Sequence, residues 1–354
     1  MRAAEEAQLQ VDVAINYYGK PYQTLLTIET LLEHSGQHID RIYLIRELKQ
    51  PREEQDIVGL LAKYGERVVV FQPEHYLAWS PSDLDRILED ASYRLSIRYQ
   101  YALEATDKRF LFVTHNDVFY TGDLIAELLR RMQEAPYAGA GLIGMCWYCP
   151  AATAGMCDPS RQEELRLSYL QAVWLCLRVK SHRSRPRLID RQFPMPLPEC
   201  RLNEFACLLD VDACLRETVP SGGSPLFGSN DGGVDTGMGW FHSMVNKRYR
   251  FANVDIWDYC HHGHGSDGHG DLFDERRFET KERSAAAALH ERGFDFASGG
   301  SDPVPRIRTT ADVVDELAER TGSRTSPSTP IVAGVDPSAY WRAQIARTRL
   351  ENRL

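Results

Sequence analysis

The sequence predicts an α/β fold, a mostly parallel, Rossmann-like sheet flanked by helices. Short runs rich in β-branched and aromatic residues recur in the N-terminal third, and amphipathic segments with helical spacing separate them. These predicted strands cover residues 11–15, 41–45, 68–71 and 109–113. The chain is 43% hydrophobic and 26% charged, which is typical of a globular protein with a sizeable core. Strands that alternate with helices give right-handed crossovers and parallel pairing.

The elements between the strands follow from the same periodicity. After the first strand, leucines and isoleucines recur at helical spacing through residues 22–33. The other predicted helices cover residues 56–64, 84–105 and 241–248, and a further strand covers residues 249–256. In such a sheet ligands bind outside the carboxyl ends of the strands. The residues just after each strand are therefore the candidate ligand contacts.

Composition divides the chain into three parts. Residues 1–130 form the alternating α/β half. Residues 131–298 are less periodic and hold all eight cysteines, as a cysteine-rich insertion, and a loop rich in histidine and glycine. Residues 299–354 are small and polar with prolines, and we expect a linker and a helical tail, with helices over residues 310–320 and 336–353. The tail is a candidate surface for assembly into a homo-oligomer.

The charge and the apolar runs exclude several classes of protein. A net charge of −9 argues against binding nucleic acid along a broad face. The first residues are acidic and lack the apolar stretch of a signal peptide, and no run is long enough for a transmembrane segment. We therefore expect a soluble, cytoplasmic protein.

The strongest local motif follows the fourth predicted strand. An apolar run ends in Thr114-His115-Asn116-Asp117. Burial of histidine and aspartate costs free energy unless they have partners. A His-x-Asp pair at a strand end suits a divalent metal with mixed nitrogen and oxygen ligands, with substrate phosphates completing the coordination. The alternative is structural, with Asp117 or Asp123 capping a helix.

The residues around this motif resemble those of GT-A-type glycosyltransferases. Residues 99–105 end in Ala-Leu-Glu-Ala, and residues 109–118 supply the following strand and motif. The resemblance implies a GT-A-like sheet, a nucleotide-sugar donor and a manganese or magnesium ion. His115 and Asp117 take the place of the family's Asp-x-Asp motif, with His115 replacing the first aspartate. It also implies that residues 1–130 bind the nucleotide-sugar and that residues 131–298 form the acceptor half.

The resemblance implies roles for further residues. In that family a loop after the first strand packs on the nucleotide base, and a helix approaches the diphosphate. A histidine beyond the acceptor region completes the family's metal site. The residues in these places are Asn16 and Tyr17 for the base, Arg94, Arg98 and Gln100 for the diphosphate, and His262 and His264 for the metal. A solvated helix face is the alternative role for Arg98 and Gln100. Glycines beside the histidines let neighbouring imidazoles converge.

A carboxylate before the helix at residues 241–248 is the candidate base. An inverting sugar transfer needs a group that takes the proton of the acceptor hydroxyl. Asp235 matches the family's position best, and Asp231 is the second candidate. An N-cap role for Asp235 and a turn role for Asp231 are the alternatives.

The cysteines contain one pair with zinc-site spacing. Cys146 and Cys149 are separated by two residues, which is half of a zinc site. Cys157, Cys200 and Cys207 are the candidates to complete it. The alternative is a set of buried, inert thiols. In a reducing compartment disulfides are not expected.

The predicted function is metal-assisted transfer of a sugar from a nucleoside-diphosphate donor. The acceptor is a glycan, a lipid-linked molecule, a protein or a small molecule. A nucleotidyltransferase is one alternative, but it would need a glycine-rich basic loop after the first strand, where only Gly19 and Lys20 stand. A non-catalytic zinc-binding or scaffold protein is the other.

Overall fold

The computed structural model describes residues 9–51, 57–77, 83–179, 186–218, 220–230, 235–263, 274–294 and 304–324. The strands are β1 (Val11–Tyr17), β2 (Ile39–Arg46), β3 (Val68–Phe71), β4 (Phe110–Thr114), β5 (Val118–Tyr120), β6 (Tyr137–Ile143), β7 (Leu202–Asp210), β8 (Arg250–Asn253), β9 (Cys260–His262) and β10 (Ile307–Arg308). The α-helices are α1 (Pro21–Ser35), α2 (Leu84–Glu89), α3 (Ala91–Leu95), α4 (Gln100–Ala105), α5 (Leu124–Glu134), α6 (Pro150–Thr153), α7 (Tyr169–Arg178), α8 (Val211–Glu217), α9 (Met238–Asn246), α10 (Glu275–Glu291) and α11 (Thr310–Arg324).

The central sheet has the strand order β10-β3-β2-β1-β4-β7-β6-β8. The first five strands are parallel, β7 runs antiparallel to both of its neighbours, and β6 pairs in parallel with β8. A separate antiparallel pair joins β5 to β9. The predicted fold class, a mostly parallel sheet flanked by helices, is confirmed.

The central strands are buried on both faces, as parallel strands between helices must be. Along β4, Phe110 and Phe112 pack into one core cluster, whereas Leu111 and Val113 pack into the other. The first cluster includes residues of α1, α5 and α10, and the second includes residues of α4, α8, α9 and α11. Each large side chain that is fully buried contributes about 1.5–3 kcal/mol of transfer free energy.

Two predicted helices have a different form in the structure. The segment at residues 84–105 is three short helices, because Asp90 adopts an extended backbone and caps α3, and Tyr99 adopts a left-handed one (φ 66°) before α4. The amphipathic segment predicted at residues 56–64 is a 3-10 helix, Val58–Arg67, interrupted at Gly65.

The second half contains regular elements that the sequence did not reveal. Among them are β6, α7, β7 and α8, in the stretch that lacks clear periodicity. In the predicted tail, β10 joins the sheet edge beside β3 and α11 covers the predicted helix at 310–320. The helix predicted at residues 336–353 lies outside the described residues. In the part of the chain that the structure describes, no helix has the length and apolar character needed to cross a membrane.

Candidate metal centre

The loop after β1 turns sharply and delivers Lys20 to the strand ends. Gly19 and Lys20 both have left-handed backbones (φ 71° and 61°), and Pro21 then begins α1. The loop is held from two sides. The side chain of Gln50 accepts a hydrogen bond from the Gly19 amide at 2.9 Å, and Asn116 Nδ2 donates to the Gly19 carbonyl at 2.9 Å.

The end of β4 supplies two of the four predicted ligands, His115 and Asp117. The His115 amide donates to the carbonyl of Phe205 on β7, which extends the sheet contact past the end of the strand. Asp117 is buried, and its carbonyl accepts a hydrogen bond from the Gly263 amide. The β5–β9 pair places His262 opposite Val118, one residue from Asp117. Sheet pairing therefore brings the late histidine to the strand end.

His115, Asp117 and His262 form one compact group. Nε2 of His262 lies 3.3 Å from Oδ1 of Asp117 and 3.3 Å from Nδ1 of His115. One ligand atom from each residue lies within 4.8 Å of the others. The His262 ring stacks on Phe205, with centroids 4.7 Å apart and an interplanar angle of 4°. The predicted ligand His264 lies outside the described residues.

Lys20 adds a cation to this group. Its ammonium lies 2.7 Å from Oδ2 of Asp117, and both side chains are buried. Burial alone would raise the pKa of Asp117, but the Lys20 ammonium and the His262 ring outweigh it and hold that pKa well below its ordinary value. Asp117 is therefore an ionised carboxylate with one oxygen facing Lys20 and the other facing His262.

Glu204 on β7 orients His115. Its Oε1 lies 3.5 Å from Nε2 of His115, and its Oε2 lies 2.7 Å from Nη1 of Arg201. Burial would raise the pKa of Glu204, but Arg201 and His115 lower it to about 2. A carboxylate at Nε2 favours the proton on that nitrogen and leaves the Nδ1 lone pair facing His262.

Three of the four predicted ligands, His115, Asp117 and His262, fit a divalent cation. Ligand atoms at right angles around an ion, with bonds of about 2.1–2.3 Å, lie about 3.0–3.3 Å apart. The 3.3 Å separations about His262 match that spacing. Two imidazole nitrogens and one carboxylate suit a divalent transition metal and leave coordination positions for further oxygen ligands.

A second polar cluster lies at the ends of β1 and β2. Nδ2 of Asn16 donates to Oε1 of Glu47 at 3.2 Å, and Nε of Arg98 lies 3.8 Å from the same oxygen. Nη1 of Arg98 donates to the Thr236 hydroxyl at 3.4 Å. Burial raises the pKa of Glu47, although Arg98 and Asn16 oppose the shift. Two residues predicted to bind the nucleotide-sugar, Asn16 and Arg98, thus both contact Glu47.

The other predicted donor-binding residues have different surroundings. Nε of Arg94 and Nε2 of Gln100 both bond to Oε1 of Glu104, at 2.9 and 2.8 Å, in a buried cluster between α3 and α4. The Tyr17 ring has no exposed surface and lies in the first core cluster. The next residue, Tyr18, accepts a hydrogen bond from the Tyr76 hydroxyl at 2.9 Å.

Asp235 lies just before α9 and pairs with Arg201. Its Oδ2 lies 3.2 Å from Nη2 of Arg201, and its side chain is 44% exposed. Arg201 also pairs with Glu204, so a chain of polar contacts runs from Asp235 through Arg201 and Glu204 to His115. Gly237 is the N-cap of α9, so Asp235 does not have the capping role that was its alternative. Asp231 lies outside the described residues.

The cysteines fall into two groups. Four of the five predicted zinc ligands, Cys146, Cys149, Cys157 and Cys200, line one small cavity beside β6. The prediction for Cys207 is wrong in its geometry, because this residue lies in the middle of β7 and is buried in the second core cluster. All eight cysteines are free thiols, as expected.

Lys20, Arg201 and Glu204 were not predicted as site residues. Lys20 belongs only to the general set of residues that follow the first strand and to the nucleotidyltransferase alternative. The available signal for Glu204 was a charged residue within the apolar run of β7. A buried charge needs a partner, so such a residue is a candidate for a site.

Comparison with models of protein families and with curated proteins finds no match. Among solved structures, the chain is similar to mannosyltransferase PcManGT from Pyrobaculum calidifontis in complex with GDP-Man and Mn2+. The identity is 12%, the coverage is 97% of this chain and 87% of that chain, and the TM-score is 0.42. It is also similar to S. aureus TarS 1-349 in complex with UDP-GlcNAc, at 10% identity, 96% and 80% coverage and a TM-score of 0.40. These likenesses are too distant to carry a functional argument.

Proposed function

We propose that the protein is a metal-dependent glycosyltransferase that uses a nucleoside-diphosphate sugar. The observation that carries the proposal is the His115–Asp117–His262 group beside Lys20, at the carboxyl end of β4. Ligands of α/β sheets bind at this edge. The sequence resemblance to GT-A-type enzymes supports the same assignment.

The charges at this edge suit a diphosphate. Lys20 lies against Asp117, and Arg98 lies across the ends of β1 and β2. Each of these cations lies against a carboxylate, so an added divalent ion would supply the positive charge that balances a bound diphosphate. When bound by His115, Asp117 and His262, a divalent ion would neutralise charge on the leaving diphosphate.

Asp235 is the proposed base for an inverting transfer. Its partial exposure leaves it accessible to an acceptor hydroxyl, and Arg201 holds one of its oxygens. In this role Asp235 takes the proton of the acceptor hydroxyl while the oxygen of that hydroxyl attacks the anomeric carbon of the donor sugar. Residues 1–130 would then bind the donor, and residues 131–298 would bind the acceptor.

A thermal-shift screen of nucleoside diphosphates with and without Mn²⁺ tests the proposal. A ligand that binds only the native state raises the unfolding temperature. We expect at least one nucleoside diphosphate to stabilise the protein more with Mn²⁺ than without it. Asp117→Asn should abolish the metal-dependent part of that shift.

The matched control is Asp12→Asn. Asp12 is a buried aspartate at the opposite end of β1, where it accepts hydrogen bonds from Thr106 and from the Arg41 amide. This variant should lose stability but keep the metal-dependent shift. Absence of any such shift in the wild type, or an unchanged shift in Asp117→Asn, would overturn the proposal.

A further inference from the structure

Four thiols from three segments of the chain surround one small cavity. Cys146 and Cys149 follow β6, Cys157 follows α6, and Cys200 precedes β7. The cavity has a volume of about 20 Å³. A space of about 10–15 Å³ is enough for one water molecule, so this cavity has room for a single small species.

The first two cysteines lie on a tight turn. The Cys149 amide donates to the Cys146 carbonyl at 3.2 Å, and the Tyr148 amide donates to the Met145 carbonyl at 2.8 Å. Gly144, just before the turn, has a left-handed backbone (φ 84°), and a Cβ there would lie 3.0 Å from Sγ of Cys146. The backbone thus holds Cys146 and Cys149 on one turn with the spacing of a zinc half-site.

Backbone hydrogen bonds bring Cys200 to this turn. The Gly144 amide donates to the Arg201 carbonyl at 2.7 Å, and the Met145 amide donates to the Glu199 carbonyl at 2.9 Å. These bonds flank Cys200 on both sides. Cys200 is therefore fixed beside the turn, although it lies far from it in sequence.

The four thiols also influence one another. Burial raises the pKa of Cys200 well above its ordinary value, and Cys149, Cys157 and Cys146 raise it further. Burial likewise raises the pKa of Cys146 to about 11, with further contributions from Cys149 and Cys157. Such thiols are neutral by themselves, whereas a bound cation would favour their thiolate form.

The surrounding segment lacks a large core of its own. Its apolar side chains, including Ala151, Leu175 and Leu197, form a small cluster separate from the two clusters that cover the sheet. Small, irregular units commonly depend on a metal or a disulfide for stability. All eight cysteines are free thiols, and thiolates are the ligands that structural zinc prefers.

We propose that Cys146, Cys149, Cys157 and Cys200 bind one structural Zn²⁺ in a closed tetrahedral site. Zinc–sulfur bonds of about 2.3 Å place the sulfurs about 3.8 Å apart. In the structure no three of these four sulfurs all lie within 4.8 Å of one another, so the thiols are more widely spaced than a closed site needs. Zinc binding would therefore draw the thiols inward through side-chain rotation and release protons.

The zinc would fix one side of the candidate metal centre. Cys200 directly precedes Arg201, which pairs with both Glu204 and Asp235. The proposal does not depend on the reaction that the protein catalyses. It requires only that the full chain contain tightly bound zinc.

The zinc site is tested by elemental analysis of the purified full chain after loosely bound ions are removed. We expect about one zinc per chain in the wild type and less than about 0.1 in the double variant Cys146→Ser/Cys149→Ser. Cys176→Ser is the matched control, because this buried thiol belongs to the same apolar cluster but does not line the cavity. It should retain the zinc, as should Asp117→Asn, which alters the other centre.

A second measurement covers the case in which the double variant does not fold. Alkylation of the folded wild type, read by mass spectrometry, should leave the four cavity cysteines unmodified until a strong chelator is added. The chelator should also lower the unfolding temperature. A folded wild-type chain with less than about 0.1 zinc, or a double variant that retains the metal, would overturn the proposal.

Discussion

At the scale of single residues, Lys20 combines a strained backbone with a buried charge. A left-handed conformation costs a non-glycine residue roughly 1–2 kcal/mol, and it is retained where the surroundings fix it. Here that conformation places the ammonium 2.7 Å from Oδ2 of Asp117. Lys20 therefore neutralises the carboxylate that a divalent cation would also bind.

Lys20→Met tests whether Lys20 and a divalent cation compete for the Asp117 carboxylate. The variant keeps an apolar stem but leaves the Asp117 carboxylate buried without its ammonium partner, which should cost about 3 kcal/mol of stability. Mn²⁺ should then raise the unfolding temperature of the variant by more than that of the wild type, because the ion replaces the lost charge.

Arg94→Met is the control for Lys20→Met. It breaks the Arg94–Glu104 pair, whose nitrogen and oxygen lie 2.9 Å apart, away from the proposed metal ligands. It should lose stability without rescue by Mn²⁺. If Mn²⁺ raised the unfolding temperature equally in the wild type and in Lys20→Met, Lys20 and Mn²⁺ would not compete for Asp117.

Glu204 predicts a pH dependence of stability. Its pKa is about 2 in the folded chain, against an ordinary value of 4.5, so the folded state favours the ionised form. The stabilisation is therefore fully present above about pH 4.5 and is lost as the pH falls toward 2, with a size on the order of 3 kcal/mol. Glu204→Gln should be less stable than the wild type at pH 7, and the difference should shrink below pH 4.5.

Urea unfolding from pH 7 to pH 3 measures the effect of Glu204→Gln. A constant difference in unfolding free energy between the two proteins across this range would show that the Glu204 charge does not contribute. Lys20 contacts Asp117, Glu204 contacts His115 and Arg201 contacts Asp235, and in each case the two residues are distant in sequence. Local patterns carry no information about such pairs, whereas the His-x-Asp motif is contiguous and was predicted.

At the scale of elements, close backbone contacts position the second polar cluster. A Cβ at Gly228 would overlap the Arg98 carbonyl oxygen and would lie 2.6 Å from the carbonyl carbon. The two segments can approach this closely only because residue 228 is a glycine. A single helix predicted over residues 84–105 could not reveal this contact. Hydrophobic periodicity does not indicate the cap at Asp90 or the left-handed backbone at Tyr99, which divide the segment into three helices.

Gly228→Ala should therefore be strongly destabilising. The methyl group would push the backbone away from Arg98, at a cost of about 2–3 kcal/mol or more. It should also weaken the contacts of Arg98 with Glu47 and Thr236 and reduce the thermal shift from a nucleoside diphosphate. Urea unfolding and the thermal-shift screen measure the two effects.

Gly59→Ala is the matched control for the glycine substitution. Nothing lies within 4 Å of a Cβ built at Gly59, so the change should be nearly neutral. If Gly228→Ala proved as stable as this control, the close approach to Arg98 would not be a constraint on the fold.

At the scale of the whole molecule, the N-terminal parallel strands were predictable, whereas β6, β7 and β10 were not. Strands buried on both faces, such as β1 and β4, read as apolar runs, and the helices between them repeat at regular spacing. By contrast, β7 pairs antiparallel between β4 and β6, and β10 returns to the far edge of the sheet. Their places depend on distant partners, which is why no clear signal for these two strands appears in the sequence.

The central claim is that the strand end at β4 holds a divalent cation. A crystal structure with Mn²⁺ and a nucleoside diphosphate, with the metal located by anomalous scattering, tests it most directly. We expect one Mn²⁺ within about 2.5 Å of nitrogen atoms of His115 and His262 and of the Asp117 carboxylate, with diphosphate oxygens as further ligands. A structure in which Mn²⁺ binds elsewhere, while Asp117 keeps its full contact with Lys20, would contradict the account.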